Sequence, residues 1–260
     1  MRQGQAGINA AKVLYIFYIR KFFDKKNTKK MKFTDFERVL SQERMARYLN
    51  ACNGDSKKAM TLYRYNLRLS QEMFTIISCF EVALRNAIDK NLIEHLGEDW
   101  LRDTIMPNGI FHANPKCAET TKIIQKSYNK LNQTNAYTHS QLITEMKFGV
   151  WKYMFSQIQF QATGQTLLRV FPNKTKSTPQ LQINHTYIYN ELDNINKLRN
   201  RIAHHEPICF GINGQVIDIS YIQNKYWQLQ TLFQWMNIDS RALLYGIDHV
   251  QQLCDKIRQL

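Results

Sequence analysis

The sequence predicts an all-α fold, built as a single multi-helix domain, and three observations lead to this prediction. The 260 residues include only 10 Gly and 5 Pro, so tight turns are few. Hydrophobic residues make up 44% of the chain, which is enough for a substantial core. The stretch 57–96 contains neither Gly nor Pro, and many of its apolar residues recur at spacings of three and four. Long amphipathic helices are therefore expected rather than a sandwich or barrel of short strands.

The N-terminal half of the chain is predicted to contain short helices followed by one long helix. The apolar pattern in 32–50 indicates one or two short helices. The segment 53–56 is typical of a turn and supplies N-cap side chains. The long helix is expected over about 57–96, and Gly97 should end it. A break of this helix near Ser70 is an open alternative.

The C-terminal half is predicted to alternate helices with loops. Proline and glycine residues mark loops at 105–117 and 172–179. Pro207 should end the helix that precedes it. An Asn-Gly pair indicates one short β-hairpin near 208–218. The expected helices cover 118–132, 139–162, 184–204, 218–237 and 239–259.

Residues 1–30 form a basic leader that we expect to lie outside the folded domain, which would then span 31–260. The leader carries eight Lys and Arg residues against Asp24, so it holds half of the formal net charge of +14. Its apolar run, 13–19, is far shorter than the roughly 20 residues needed to span a bilayer. A basic membrane-surface helix is an alternative for the leader, although a membrane partner is not expected. We hypothesise that the natural chain starts at Met31.

The charge and the cysteines restrict the expected partners and compartment. A net charge of +14 favours polyanionic partners, because each neutralised phosphate releases condensed counterions. Charge alone does not distinguish RNA from DNA or from an anionic membrane. The five cysteines are scattered, odd in number and without a Cys-x-x-Cys pair. This usage is typical of a reduced, cytoplasmic protein that has no structural disulfide or zinc site.

The densest polar cluster is the segment 199–207, at the end of a predicted helix. Asn200 and His204 are four residues apart and share a helix face, and Arg201 and His205 form a second such pair. Arg199 lies beside the apolar stripe. An imidazole can take a proton from a ribose 2′-hydroxyl or protonate the leaving oxygen, and a guanidinium can stabilise the negative phosphate. Because RNA carries its own nucleophile, this set of groups requires no metal or cofactor and favours RNA over DNA.

Structural interpretations of the same residues stay open at this point. Arg199 can be a packed side chain that is paired with a buried acid, and His205 can be a hydrogen-bonded core histidine. An Arg followed five residues later by a His also occurs by chance in many proteins. A metal site at His204 and His205 is not expected, because adjacent side chains diverge and the sequence has no matching Asp/His cluster.

Three ordered segments resemble the motifs of a known family. Residues 198–207 (LRNRIAHHEP) resemble the signature of the Abi-like (abortive infection, AbiD/AbiF type) proteins, a branch of the HEPN superfamily. Residues 80–88 (FEVALRNAI) resemble the Glu-x-x-x-Arg-Asn helix of that family, and 148–151 (FGVW) resemble its Phe-Gly-x-Trp element. Residues 63–67 also fit. The resemblance covers most of the chain, with residues 1–30 outside it.

The resemblance implies a HEPN-type helical domain with an Arg-polar-x-x-x-His ribonuclease motif. Arg199, Asn200 and His204 would be the catalytic residues. HEPN ribonucleases are typically metal-independent and often form their site from the motifs of two HEPN units. The pair Arg85-Asn86 is followed by a Lys where a His would fall, so this chain holds one complete motif. The resemblance therefore implies a homodimer with two facing copies of the motif.

Arg199 and His204 point about 140° apart on an ideal helix. They can converge if the last helical turn distorts, if the long Arg199 side chain reaches round, or if a dimer supplies one group from each chain. We favour the dimer.

Five further residues are expected to support catalysis or to bind RNA: Glu81, Arg85, Asn86, Arg201 and His205. Glu81 and Arg85 are four apart and can form merely a helix-surface pair worth about 0.2–0.5 kcal/mol. The alternative is that Glu81 orients Arg199 from a neighbouring helix and that Arg85 contacts an RNA phosphate.

Four aromatic side chains also have two interpretations. Tyr63, Tyr65, Phe148 and Trp151 can stack on bases. Aromatic residues within amphipathic helices more often form the core, and we favour that interpretation.

The leading functional hypothesis is a metal-independent endoribonuclease that leaves 2′,3′-cyclic phosphate ends and acts as the toxin of an anti-phage system. The resemblance implies that an antitoxin protein or a regulatory noncoding RNA holds such a toxin inactive. The alternative is a non-catalytic RNA-binding or assembly module in which the same residues bind an RNA. A third hypothesis, a membrane-acting toxin, depends only on the leader.

Overall fold

The computed structural model describes residues 31–211 and 214–260, and these residues form twelve α-helices. The helices are α1 (Phe33–Leu40), α2 (Gln42–Ala51), α3 (Ser56–Leu96), α4 (Trp100–Asp103), α5 (Ala118–Gln133), α6 (His139–Glu145), α7 (Phe148–Tyr153), α8 (Gln157–Ala162), α9 (His185–Ala203), α10 (Ser220–Trp235), α11 (Ser240–Leu243) and α12 (Val250–Arg258). Two short 3-10 helices, Pro115–Cys117 and Leu167–Val170, lie between them. The described residues contain no β-sheet, so the all-α prediction is confirmed.

The chain divides into two units, Met1–Arg47 and Tyr48–Leu260. The second unit contains every candidate site residue. The basic leader, including its apolar run 13–19, lies outside the described residues, and the boundaries 1–30 and 31–260 stay a prediction. Within the described part of the chain, no helix combines the length and the apolar character needed to cross a membrane.

The 41-residue helix α3 organises the second unit. The Asp55 carboxylate caps it by accepting the backbone N–H groups of Lys57 and Lys58 at 2.9 and 3.0 Å. The helix continues through Ser70, so a break there is wrong, and it ends at Gly97, whose φ of 101° favours glycine. Its buried apolar residues include Ala59, Leu62, Leu69, Met73, Ile76, Ile77, Phe80, Leu84, Ile88 and Leu92. Helices α7, α9, α10 and α12 pack against α3.

The region 139–162 was predicted as one helix, and this prediction is wrong. It forms three short helices, α6, α7 and α8, and Met146 adopts extended backbone (ψ 129°) between the first two. The buried residues of the region are Leu142, Ile143, Met146, Phe148, Val150, Trp151, Lys152, Met154, Phe155, Gln159 and Phe160. They are too dense to share one stripe of a straight helix, so the chain changes direction to bury them. One of these changes of direction brings α7 against α3 and α9.

Two predictions near the C-terminus need correction. Among the described residues of 208–218, Phe210 and Ile217 form a single antiparallel bridge and no strand is present; Ile212 and Asn213, in the middle of the predicted hairpin, lie outside the described residues. The region 239–259 forms two helices rather than one, with Gly246 at φ 74° between them. The helices predicted at 118–132, 184–204 and 218–237 are confirmed as α5, α9 and α10.

Candidate active site

The three segments that resemble family motifs lie on α3, α7 and α9, which pack against one another. Glu81 of α3 is half-buried, and its carboxylate accepts a hydrogen bond from the backbone N–H of Phe148, the first residue of α7. The charges of Arg199 on α9 and of Arg85 on α3 act on the same carboxylate. We call Glu81, Arg85 and Arg199 the Glu81 cluster. It is the point at which the three segments meet.

Burial raises the pKa of the Glu81 carboxyl above its ordinary value, and this effect is the largest. The charge of Arg199 opposes it, followed by the charge of Arg85 and the N–H of Phe148, without cancelling it. The negative charge of Glu81 therefore costs folding free energy even beside two guanidinium groups. Perturbed carboxyl groups of this kind are concentrated at functional sites.

Arg199 is half-buried, and its charge acts on Glu81 of α3. Its Nε is buried and has no hydrogen-bond acceptor among the described residues. Buried polar groups in proteins are normally hydrogen-bonded. Arg201 Nη1 and His139 Nδ1 are in the same state, so an unpartnered nitrogen does not by itself identify the site. An anionic ligand that reaches the guanidinium would supply strong charge-assisted acceptors. The Nε of Arg85 donates to the Asn86 side-chain oxygen at 3.4 Å, and Asn86 itself is exposed.

A Schellman motif ends α9 and sets the positions of the two adjacent histidines. The N–H of His205 donates to the carbonyl of Ile202 at 3.0 Å, and the N–H of Glu206 donates to the carbonyl of Arg201 at 2.9 Å. His205 adopts a φ of 56°, in the left-handed region that favours glycine. His204 and His205 are both exposed, so His205 is not a core histidine.

The structure brings some of the predicted catalytic residues together and separates others. Asn200 is exposed one turn before His204, and their side chains share the outer face of α9. Arg199 lies with Glu81 and Arg85 on the side that faces α3. In one copy of the chain, Arg199 and His204 therefore lie on different sides of α9, as the 100° advance per residue requires.

Arg201 holds the chain that follows α9. Its Nη2 donates to the carbonyl of Pro207 at 2.9 Å, and its Nε lies 3.5 Å from a carboxylate oxygen of Glu206. The guanidinium also lies over the ring of Tyr221, 5.1 Å from its centroid. We therefore assign Arg201 to the support of the helix end, and its contact with RNA stays a prediction.

The aromatic residues of the motif segments belong to the core. Trp151 is fully buried, and Phe148 and Tyr63 are 1% and 7% exposed, so these three cannot stack on bases. Tyr65 is half-buried. The interpretation of these residues as core is confirmed for Trp151, Phe148 and Tyr63.

Sequence reasoning missed the role of Asn66. Its side-chain oxygen accepts the backbone N–H groups of Ile208 and Cys209 at 2.8 and 3.1 Å. Asn66 is 4% exposed. The available signal was its position, four residues after Leu62 and three before Leu69 on the apolar face of α3, where a polar residue needs a partner.

A second, partly buried polar cluster lies between α3, α4 and α6, and we call it the Asp89–Asp99 cluster. Its members are Asp89, Asp99, Trp100, Arg102, Tyr137 and His139. Asp89 accepts hydrogen bonds from Trp100 Nε1 and His139 Nε2, both at 2.8 Å. Asp99 accepts the Tyr137 hydroxyl and pairs with Arg102, also at 2.8 Å. Across the described residues, no group of three or more His, Cys, Asp or Glu side chains is arranged to hold a metal ion.

Comparison with known proteins agrees with the three motifs. A family model described as Abi-like protein matches residues 15–209, which is 195 of the 260 residues and includes all three segments. The match begins inside the basic leader, so the expectation that all of 1–30 falls outside the resemblance is wrong. No curated protein and no solved structure matches the chain. The chain belongs to the Abi-like protein family.

Proposed function

We propose that this chain is a metal-independent endoribonuclease in which Arg199 and His204 act on the phosphodiester and Asn200 positions the substrate. The observation that supports this proposal best is the state of Arg199. Its charge acts on the partly buried Glu81 carboxylate, and its Nε is buried without a partner among the described residues. It lies on the same helix end as the exposed imidazole of His204. A site for an anionic, proton-exchanging reaction needs these two kinds of group.

The proposed reaction uses the nucleophile that RNA carries. The neutral imidazole of His204 removes the proton from a 2′-hydroxyl, and the 2′-oxygen forms a bond to the adjacent phosphorus. The bond from phosphorus to the 5′-oxygen breaks, and an imidazolium returns a proton to that oxygen. Arg199 stabilises the additional negative charge on the phosphate oxygens in the transition state. The products are a 2′,3′-cyclic phosphate and a free 5′-hydroxyl.

In this proposal, Glu81 is the positioning residue of Arg199. A carboxylate on α3 limits the directions in which the Arg199 guanidinium can point, while its burial leaves the negative charge incompletely stabilised. Arg85 adds a second positive charge, so the Glu81 cluster keeps a net charge of +1 and attracts a phosphate.

We propose that the complete site belongs to a homodimer. Because Arg199 and His204 lie on different sides of α9, a second copy can place its own His204 opposite the first copy's Arg199. The side of α3 that carries Arg85 also exposes large apolar residues, which suits a protein contact near the cluster. These residues are Leu67 (47% exposed), Phe74 (39%) and Val82 (43%).

Mixing two inactive variants tests the dimer. A mixed dimer of Arg199→Ala and His204→Ala keeps one intact Arg199 and one intact His204 between its two chains. We expect each variant alone to be inactive and the co-expressed, co-purified mixed dimer to recover a measurable fraction of the wild-type cleavage rate. A mixed dimer that is no more active than either variant would contradict a site shared between copies.

We further propose that the enzyme acts in the cytoplasm as the toxin of an abortive-infection system, held inactive by an antitoxin protein or a regulatory noncoding RNA. Family membership supports a role in abortive infection. The net charge of +14 favours polyanionic partners, and the proposed reaction, which uses a 2′-hydroxyl, selects RNA among them.

Incubation of the purified protein with single-stranded RNA in EDTA tests the activity. We expect cleavage, 2′,3′-cyclic phosphate ends, and no cleavage at a linkage whose upstream nucleotide is 2′-deoxy. Salt-dependent RNA binding without cleavage would contradict the enzyme and support the alternative RNA-binding module.

A further inference from the structure

Every backbone N–H group in the five residues after His204 has a partner within the protein. The N–H groups of His205 and Glu206 donate to carbonyls of the last turn of α9. Pro207 has no N–H, and its carbonyl accepts Arg201 Nη2 at 2.9 Å. The N–H groups of Ile208 and Cys209 both donate to the side-chain oxygen of Asn66. The chain that leaves His204 is therefore fixed at each step.

Asn66 is the only partner in this set that lies on α3, 142 residues away in sequence from Ile208. It is 4% exposed, and Ile208 and Cys209 are fully buried, so water cannot replace its oxygen without a rearrangement. One oxygen that accepts two consecutive N–H groups fixes both the position and the direction of that peptide segment.

The same helix also holds the other end of the motif. Glu81 interacts with Arg199, and Asn66 lies 15 residues earlier on α3, about 22 Å along the helix axis at 1.5 Å per residue. Since α3 is one continuous helix between these points, the helix that carries Glu81, on which the charge of Arg199 acts, also fixes the chain beyond the end of the motif through the hydrogen bonds of Asn66.

We propose that Asn66 is a positioning residue for the reaction, and that it acts by fixing the chain after His204 so that the imidazole is held in a defined position relative to Arg199. This inference depends on the proposed ribonuclease function. A displacement of about 1 Å in a reacting group can reduce a rate about 100-fold, so a second attachment point on α3 has a large effect on kcat.

A purely structural role makes a different prediction, and the chain provides a matched control. Asn91 lies on the same helix and its side-chain oxygen accepts the Thr166 hydroxyl at 2.8 Å. Its bond does not involve the segment after His204. If Asn66 only stabilises the fold, both Asn66→Leu and Asn91→Leu should lower the stability of the protein, and neither should change kcat.

The test compares Asn66→Leu, Asn66→Asp and Asn91→Leu by single-turnover RNA cleavage, RNA affinity and Tm. We expect Asn66→Leu to lower kcat about 10- to 100-fold with RNA affinity changed less than twofold. Asn66→Asp keeps an oxygen that accepts both N–H groups and should restore most of the rate, and Asn91→Leu should keep the wild-type kcat. An Asn66→Leu enzyme with wild-type kcat, or equal losses in both Leu variants, would overturn the proposal. Asn66→Ser, whose shorter side chain cannot reach both donors, replaces Asn66→Leu if that variant does not fold.

Amide hydrogen exchange of the wild-type protein separates this inference from the proposed function. We expect the amides of Ile208 and Cys209 to exchange as slowly as those in the middle of α9. Fast exchange at both positions would overturn the attachment by Asn66 whether or not the protein cleaves RNA. Slow exchange in a wild-type protein that does not cleave RNA would contradict the ribonuclease and remove the positioning role with it.

Discussion

Helix α3 contributes Glu81 and, two turns later, Asp89 to two partly buried clusters of charged residues, and these clusters are built differently. In the Asp89–Asp99 cluster, both carboxylates have direct donors at 2.8 Å from Trp100, His139, Tyr137 and Arg102. In the Glu81 cluster, the carboxylate has one backbone donor, and the two guanidinium groups act on it through their charges.

The pKa values of Tyr137 and Glu81 reflect this difference in hydrogen bonding between the two clusters. Burial, and then the hydrogen bond to Asp99, raise the pKa of the Tyr137 phenol, so that it stays a donor to Asp99. Burial raises the pKa of Glu81 because the surrounding positive charges stabilise the carboxylate incompletely. The comparison indicates that direct hydrogen bonds satisfy the carboxylates of the Asp89–Asp99 cluster, whereas the Glu81 carboxylate is compensated mainly by charge. Each cluster holds one buried nitrogen without a hydrogen-bond partner among the described residues, His139 Nδ1 and Arg199 Nε.

The largest difference between the clusters should come from their arginines. We expect Arg199→Ala to reduce RNA cleavage by about 100- to 1,000-fold, because it removes the group that stabilises negative charge in the transition state. Its Tm should fall only modestly, because Arg199 Nε has no hydrogen bond to lose within the described structure, whereas the Glu81 carboxylate loses the charge that most opposes its desolvation. The control, Arg102→Ala, removes the ion pairs with Asp99 and Asp103 and should lower Tm without changing the cleavage rate.

Replacement of one carboxylate in each cluster should have opposite consequences: loss of the Glu81 carboxylate should lower activity, and loss of the Asp89 carboxylate should lower stability. We expect Glu81→Gln to lower the cleavage rate about tenfold by loosening Arg199, with a Tm at pH 7 that is not below the wild type. Asp89→Ala leaves Trp100 Nε1 and His139 without their acceptor, and it should lower the free energy of unfolding by about 2 kcal/mol with unchanged cleavage. Thermal melts and single-turnover rates of the two variants check both statements.

The pH dependence of stability shows whether the ionised Glu81 carboxylate stabilises or destabilises the folded protein. Because the folded pKa of Glu81 is raised above its ordinary value of 4.5, the folded state binds this proton more tightly than the unfolded state. Between 4.5 and the raised pKa, the Glu81 contribution to stability therefore falls as pH rises. The Tm of the wild type relative to Glu81→Gln should increase as pH is lowered through this window. A constant difference across the window would show that Glu81 is not destabilised in the folded protein.

Arg201 should give the smallest of these effects on cleavage. Arg201→Ala loses one hydrogen bond to the Pro207 carbonyl and the contact with the Tyr221 ring, so the free energy of unfolding should fall by about 1–2 kcal/mol. Cleavage should change only a few-fold, because the Schellman motif and Asn66 still hold the chain after His204. A loss as large as that of Arg199→Ala would mean that Arg201, too, contacts the RNA.

The sequence predicted those parts of the fold that depend on local pattern. For α3, these patterns are the apolar stripe, the N-cap at Asp55 and the C-terminal Gly97. Each can be recognised from neighbouring residues alone, and the helix spans the predicted residues. The region 139–162 could not be predicted in the same way. Its apolar residues are so dense that a single straight helix would bury them only if other elements packed against all of its faces. Tertiary packing decides where such a segment turns.

The sequence indicated which residues belong to the candidate site, but it did not indicate which contacts they make. An interaction of Glu81 with Arg199 was one of two open interpretations of the sequence, and the charges of both Arg199 and Arg85 act on the Glu81 carboxylate. The occupied contacts of Arg201 and the two hydrogen bonds of Asn66 depend on residues up to 143 positions apart, which no local pattern indicates. The left-handed conformation of His205 also follows from the Schellman motif rather than from its residue type.

The most direct test of the account is single-turnover cleavage of an RNA in EDTA by His204→Ala, beside His112→Ala as a control that removes another exposed histidine. We predict that His204→Ala lowers the rate by about 100- to 10,000-fold with an unchanged Tm, and that His112→Ala cleaves like the wild type. Equal rates for His204→Ala and the wild type would contradict a ribonuclease site at the end of α9.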